Sequence, residues 1–298
     1  MEISFKNIEI SLMKEITVFS SYIFLYMIVD QINWNVDKLI LGRIKGTNEV
    51  AIYSLGAQLN TYLISISTTI SSVFTPRIHR IVAKNSKDKE LTNLFIKIGR
   101  VQYIFVSLII VGFLVFGKVF ISLWAGINYK ESYYVASILM IVTSGALIQN
   151  VGIEIRKAQN KHKTPAKFMI IVAMLNILIS IPLAETYGAI GCVIGTAIAN
   201  TVNRFFISVY YQKVVGLDII LFWKEILKIS RGLIVPILFA IIIKTSSAYF
   251  TDIAYMALIL PFTIIHMLAM YFFGMNEYEK RLFLNDKVKK IFKIKRLK

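Results

Sequence analysis

The sequence predicts an all-α, polytopic membrane protein built as a bundle of about eight transmembrane helices. Of its 298 residues, 56% are hydrophobic and the mean hydropathy is +0.65, whereas soluble globular domains are about 45–50% apolar. The apolar residues are grouped in long blocks, and a block of roughly 18 or more predicts a spanning helix. The basic residues fall in the gaps between these blocks, as membrane topology requires.

Eight apolar blocks give the predicted order of the spans along the chain. They cover residues 15–36, 50–75, 99–124, 132–154, 165–184, 188–211, 230–250 and 253–273. Basic and apolar residues alternate over 287–296, in the tail that follows. This alternation favours a segment lying along the anionic inner leaflet, with a frayed soluble tail as the alternative.

The distribution of Lys and Arg predicts the orientation of the bundle. With the N-terminus in the cytoplasm, 28 of the 34 basic residues fall in inner segments and 6 in outer ones. Because cytoplasmic loops carry the excess of Lys and Arg, we expect both termini to be cytoplasmic.

Composition excludes several classes of function. The formal charge of +17 would suggest nucleic acid in a soluble protein, but lipid headgroups explain basic residues between spans better. Cys192 is the single cysteine and there are three histidines, so we predict no disulfide, metal or cofactor. The sequence contains no nucleotide-binding P-loop, no G-x-S-x-G and no H-E-x-x-H motif. We therefore expect no enzyme activity.

Polar residues recur at helical spacing inside four of the spans. These faces include Asp30 and Asp37 in the first span, Gln58 in the second, Asn150 and Glu154 in the fourth, and Asn200 and Arg204 in the sixth. Together they predict a hydrated cavity, with interhelical hydrogen bonding as the alternative for the uncharged groups. For Asp30 and Arg204, charges within a span favour a cavity or an ion pair.

Three groups of residues resemble the polysaccharide transporter family. The first is Asp37–Gly46 followed by Val50–Ser54, and the second is Ala158–Lys163 with Leu175–Ile179 and Tyr187–Cys192. The third is Pro76 followed by Arg77. This family comprises the Wzx-type O-antigen and oligosaccharide flippases of the MOP superfamily, which also contains the MATE antiporters. The resemblance covers about residues 15 to 215.

The resemblance implies a fold, a function and partners. It implies half of a two-lobe, MATE-like transporter, in which the N-terminal lobe is missing and a homodimer or a separate lobe completes the cavity. The implied parts are a cytoplasmic segment (1–14), a six-helix lobe (15–215), two additional helices (216–273) and a basic cytoplasmic tail (274–298). The implied substrate is an undecaprenyl-pyrophosphate-linked oligosaccharide, flipped across the bacterial inner membrane for surface polysaccharide synthesis. Membrane lipids and glycan polymerase or assembly proteins are the other implied partners.

This function assigns hypothetical roles to the polar residues. Arg204 is the predicted partner of the pyrophosphate, with Arg43 and Arg77 as gates at the two ends. Four amides are predicted to bind the glycan: Gln58, Asn60, Asn150 and Asn200. Asp30 is predicted to bind a coupling cation or to pair with Arg204, and Asp37 and Glu154 complete the polar lining.

Three alternatives stay open beside flipping. A cation-coupled multidrug antiporter would need an acidic, aromatic-lined cavity. A membrane enzyme such as a glycan polymerase would need a large outer loop, and the longest predicted here has about 13 residues. The third alternative is a non-functional fragment that still inserts into the membrane.

Overall fold

A computed structural model describes residues 10–84, 88–161 and 163–283 of the chain. Within these residues every regular element is helical, which confirms the all-α prediction. The alternating segment at 287–296 lies outside the described residues. The α-helices are α1 (Ile10–Ile44), α2 (Thr47–Ser72), α3 (Thr75–Ala83), α4 (Asp88–Trp124), α5 (Ser132–Leu147), α6 (Val151–Ala158), α7 (Lys163–Tyr210), α8 (Ile219–Ser230), α9 (Ile234–Thr245), α10 (Asp252–Ala257), α11 (Ile259–Ala269) and α12 (Glu277–Phe283).

Length and hydropathy identify four candidate membrane spans in the described part of the chain. They are Lys89–Trp124, Thr164–Val215, Ile219–Thr245 and Asp252–Gly274, and the bent pair α5–α6 gives a fifth when it is counted as one span. The chain is therefore a multi-pass membrane protein. The predicted number of about eight is larger partly because Thr164–Val215 contains two of the predicted spans.

The long helix α7 is a hairpin of two arms that turns back at Gly188. This glycine has φ of 59°, a left-handed conformation that side chains disfavour. Ser180 of the first arm donates a hydrogen bond to the carbonyl oxygen of Cys192 in the second, at 3.3 Å. A Cβ on Gly195 would collide with Ser180, so the small residue allows the two arms to pack closely.

The boundary between α5 and α6 is a 43° bend. A bend frees backbone carbonyls that need another partner inside a membrane. Ser67 of α2 supplies one, because its hydroxyl donates to the carbonyl oxygen of Leu147 at 2.9 Å. Gln102 of α4 donates in turn to Ser71 at 2.7 Å. The bend is thus held by two neighbouring helices.

Two helix boundaries differ from those predicted. The second predicted span extends to residue 75, but α2 ends at Ser72. Pro76 lies in the first turn of the separate amphipathic helix α3, where a missing N–H is tolerated. The predicted span at 230–250 is preceded by α8, which begins after Asp218. The carboxylate of Asp218 accepts from the Leu221 N–H at 2.8 Å and caps that helix.

Arg100 of α4 joins the C-terminal helices to the rest of the bundle. Its guanidinium donates to the Glu279 carboxylate of α12 at 2.9 Å and to the Glu225 carbonyl of α8 at 2.8 Å. It also donates to the carbonyl of Gly274 at 3.1 Å. Glu279 forms a reciprocal capping box with Asn276, with bonds of 2.8 and 3.0 Å. All three nitrogen atoms of the buried Arg100 guanidinium therefore donate hydrogen bonds.

The apolar core of the bundle has two main parts. The larger is formed by α2 to α6, α8 and the π-helical segment Tyr211–Val215, and it includes Phe95, Tyr211 and Phe222. The smaller lies where α1, α2 and α5 meet the tip of the α7 hairpin, and it includes Leu41 and Cys192. The second cluster surrounds a buried carboxylate of the first helix, Asp37.

Candidate translocation site

Asp37 on α1 is a buried carboxylate held by three helices. It is 1% exposed. Tyr53 of α2 donates its hydroxyl to the carboxylate. Thr196 on the second arm of α7 donates at 2.6 Å, and Asn176 on the first arm donates at 3.4 Å. Among the described residues, the donors to this carboxylate are thus all neutral.

Further hydrogen bonds link Ser180 and Cys192 to Asn176 and Asp37. We name the whole set the Asp37 cluster (Asp37, Tyr53, Asn176, Ser180, Cys192 and Thr196). Ser180 donates to the side-chain oxygen of Asn176 at 2.8 Å. Asn176 and Ser180 are four residues apart on one arm, and Cys192 and Thr196 are four apart on the other, so each pair shares a helix face. The hairpin at Gly188 brings these faces together.

The Asp37 cluster has no cationic partner among the described residues. None of the ion pairs found there includes Asp37. A buried carboxylate without an opposite charge is destabilised as an anion. A proton or a hard cation that prefers oxygen ligands would remove that penalty. The described residues contain no group of three His, Cys, Asp or Glu side chains that could hold a metal, so the cluster does not resemble a transition-metal site.

The exposed face of α2 is polar along several turns. Gln58 donates to the hydroxyl of Tyr62 at 2.8 Å, and both side chains are exposed. Thr61 and Ser65 lie on the same side of the helix and donate to carbonyls one turn earlier. Because lipid tails offer no hydrogen bonds, an exposed polar face within a membrane needs water or a polar partner. This face therefore favours a hydrated cavity.

Arg204 lies on the second arm of α7, facing α5. Its guanidinium packs directly on Gly145, where a Cβ would collide with it. One of its nitrogen atoms, Nη2, is buried without a hydrogen-bond partner in the described structure. The predicted pair with Asp30 stays a prediction, because the Asp30 side chain lies outside the described residues.

A family model described as "Polysaccharide biosynthesis protein" matches residues 4–134, which run from the N-terminal segment into α5. The match supports the polysaccharide transporter family. It includes Asp37 and Tyr53, and it ends before the α7 hairpin. No curated protein and no solved structure was found to match the chain. With the membrane-helix bundle, the family match points to a transporter rather than an enzyme.

The other residues predicted to bind glycan lie in different environments. Asn60 is 1% exposed and accepts a hydrogen bond from Thr143 at 2.9 Å, so it joins α2 to α5. Asn150 lies at the bend before α6, and Asn200 is half-buried on α7. Of the four predicted amides, Gln58 is the one with an exposed side chain.

Three charged residues of the predicted site also lie in different environments. Glu154 of α6 pairs with Lys157 at 2.9 Å, within a single helix. Arg43 is exposed near the end of α1, and Arg77 is exposed on α3. The structure therefore does not bring these three residues to the Asp37 cluster.

Five members of the Asp37 cluster, all except Asp37 itself, were not among the predicted site residues. Tyr53 and Asn176 lie in segments that carry the family resemblance, but no role was attached to them. Ser180 has no motif of its own. The spacing of Asn176 with Ser180 and of Cys192 with Thr196 was the available signal, because equal helical spacing in two adjacent spans indicates two faces that can meet.

Proposed function

We propose that this protein flips undecaprenyl-pyrophosphate-linked oligosaccharides from the cytoplasmic to the outer leaflet of the bacterial inner membrane. The Asp37 cluster binds the cation, H⁺ or Na⁺, whose gradient drives the step. The observation that carries this proposal is the buried Asp37 carboxylate of α1, which accepts hydrogen bonds from three neutral side chains on α2 and on both arms of α7. The family match supports a glycan-linked substrate.

Cation binding at Asp37 would couple to the arrangement of the helices. The carboxylate bonds α1 to α2 and to both arms of α7. With a cation bound, the cluster is neutral and these helices stay together. When the cation leaves, the anion is destabilised until water reaches it, so release favours an arrangement in which the helices separate.

The substrate has two chemically distinct parts that need different partners. The pyrophosphate is anionic, and Arg204 offers it a buried nitrogen that has no protein partner in the described structure. The glycan needs hydrogen-bonding groups, which the exposed face of α2 around Gln58 and Tyr62 supplies. In this proposal a second lobe, either another copy or a separate chain, closes the cavity, and both termini are cytoplasmic. Glycan polymerase and assembly proteins then act on the flipped unit.

Replacement of Asp37 tests the proposal in cells. Asp37→Asn keeps the size of the side chain and removes its charge, so the site no longer changes charge when the cation leaves. We expect surface polysaccharide in a flippase-deficient bacterium to fall at least about tenfold below the level that the unaltered chain restores. Asp252→Asn, at an exposed position of α10, is the matched control and should restore it fully.

The outcome separates flipping from its alternatives. Normal surface polysaccharide with Asp37→Asn, at equal protein level in the membrane, would overturn the role of Asp37. Resistance to cationic drugs without restored polysaccharide would favour a multidrug antiporter. If the unaltered chain restored neither property, the flippase proposal for this chain alone would fail.

A further inference from the structure

The inner end of the α5–α6 pair contains hydrogen-bond donors that the protein does not use. Two nitrogen atoms of Arg156, Nε and Nη1, are buried without a partner in the described structure. Gln149 is 4% exposed, and its side-chain Nε2 also lacks one. Most buried donors in proteins are paired, so three unpaired nitrogen atoms on these two residues require an explanation.

These donors lie at the bend and on the helix that follows it: Gln149 is in the turn between α5 and α6, and Arg156 is on α6. Gly152 and Arg156 are four residues apart on α6 and share one face. A Cβ on Gly152 would collide with the ring of Tyr211, so this face covers the π-helical segment Tyr211–Val215. Single-turn π-helical segments are frequent at functional sites. We name Gln149, Gly152, Arg156 and Tyr211 the inner seam.

Arg100 shows how this protein treats a structural buried arginine. All of its nitrogen atoms donate, to two carboxylates and two backbone carbonyls. Among the described residues Arg156 has no such partner, and the carboxylate of Glu154 pairs with Lys157. The side-chain oxygen of Gln159 is unpartnered as well, but it is neutral and cannot balance the charge.

The chemistry of the inner seam identifies the class of ligand. The unpartnered atoms of Arg156 and Gln149 are all donors, and Arg156 adds a positive charge, which fits the oxygen atoms of a phosphate. Arg156, Lys157 and Lys161 fall in a gap that the charge distribution assigns to the cytoplasmic side. A phosphate at this depth belongs to a lipid of the inner leaflet.

We propose that the inner seam binds a lipid phosphate, with the Arg156 guanidinium and the Gln149 amide as its donors. Two sources share this chemistry: the pyrophosphate of the polyprenyl-linked substrate and the phosphodiester of an anionic phospholipid. The first source rests on the proposed function and gives the substrate a docking position before it reaches Arg204. The second does not depend on flipping.

Lipid binding to the purified full chain tests this proposal. Native mass spectrometry measures the affinity for undecaprenyl pyrophosphate and, separately, for phosphatidylglycerol, with phosphatidylcholine as the reference lipid. Arg156→Gln should weaken binding of one or both phosphate lipids at least about tenfold, since a hydrogen bond to a charged group contributes about 1.5–3 kcal/mol. Arg156→Lys, which keeps the charge, should lose less.

Arg80→Gln is the matched control, because Arg80 is exposed on α3 and its loss should leave both affinities unchanged. Loss of pyrophosphate binding alone would assign the seam to the substrate, and loss of phosphatidylglycerol binding alone would assign it to the leaflet. Equal affinities for the unaltered chain and Arg156→Gln, at equal thermal stability, would overturn the proposal. So would an equal loss with Arg80→Gln, which would indicate nonspecific attraction. Neither result depends on Asp37 or on transport.

Discussion

Arg100 and Asp37 are both buried charges, and their surroundings differ in kind. Arg100 meets the carboxylates of Glu225 and Glu279, so its charge is neutralised within the fold. Asp37 meets hydroxyl and amide groups alone in the described structure. A buried charge with a structural role is neutralised by charged side chains of the protein itself. A buried carboxylate without such a partner can instead be neutralised by a cation that binds and leaves. This contrast supports a structural role for Arg100 and a functional one for Asp37.

Removal of the Arg100 charge should destabilise the whole bundle. Arg100→Gln leaves the fully buried Glu279 carboxylate without its partner, and breaking a buried pair from one side costs about 3–5 kcal/mol. We expect a clearly lower melting temperature in detergent. Lys228→Gln breaks an ion pair to Glu225 whose lysine is 62% exposed, so it should change the melting temperature little. Equal melting temperatures for the two variants would contradict the structural role.

At the scale of elements, the α7 hairpin determines where the site forms. Its turn at Gly188 brings the N–H of Ala189 to the Glu49 carboxylate of α2, at 2.6 Å. The carboxylate thus caps the first turn of the second arm, where a negative charge is favoured. The hairpin, α1 and α2 then meet at Asp37. The position of the cluster follows from this turn.

Substitution of Gly188 should disturb the hairpin. Gly188→Ala places a side chain at φ of 59° and against the carboxylate of Glu49, so we expect a loss of about 1–3 kcal/mol of stability. Gly42→Ala is the matched control, because Gly42 is within α1 and its added Cβ would make an ordinary contact of 3.5 Å. Thermal unfolding in detergent compares them. A Gly188→Ala chain as stable as the Gly42→Ala chain would show that the turn tolerates a side chain.

At the scale of the whole molecule, the sequence was sufficient for the class of fold but not for the site. Long apolar blocks predict spanning helices because the bilayer requires them, and the helices are found where those blocks lie. Helical spacing also placed Asp37 on a polar face. Spacing does not show which faces meet, however. Asn60 was predicted to bind glycan, yet it bonds Thr143 between two packed helices.

Helix boundaries also could not be fully predicted from the sequence. Pro76 was expected at the end of a span, but its fixed backbone suits the first turn of α3 equally well. The cap at Asp218 starts α8 before the apolar block that was predicted to span. Ser180 lies in the Asp37 cluster because the turn at Gly188 folds the second arm of α7 against the first. Such contacts depend on tertiary packing, which a linear pattern does not contain.

The dependence of flipping on a cation gradient tests the central claim most directly. Membrane vesicles that contain the unaltered chain are loaded with a fluorescent lipid-linked oligosaccharide, and its transfer between leaflets is measured with a Na⁺ or H⁺ gradient imposed. We predict that one of the two gradients accelerates transfer at least about tenfold, and that Asp37→Asn removes the acceleration while Asp252→Asn keeps it. Transfer at the same rate with and without either gradient, or an acceleration that survives Asp37→Asn, would contradict the account.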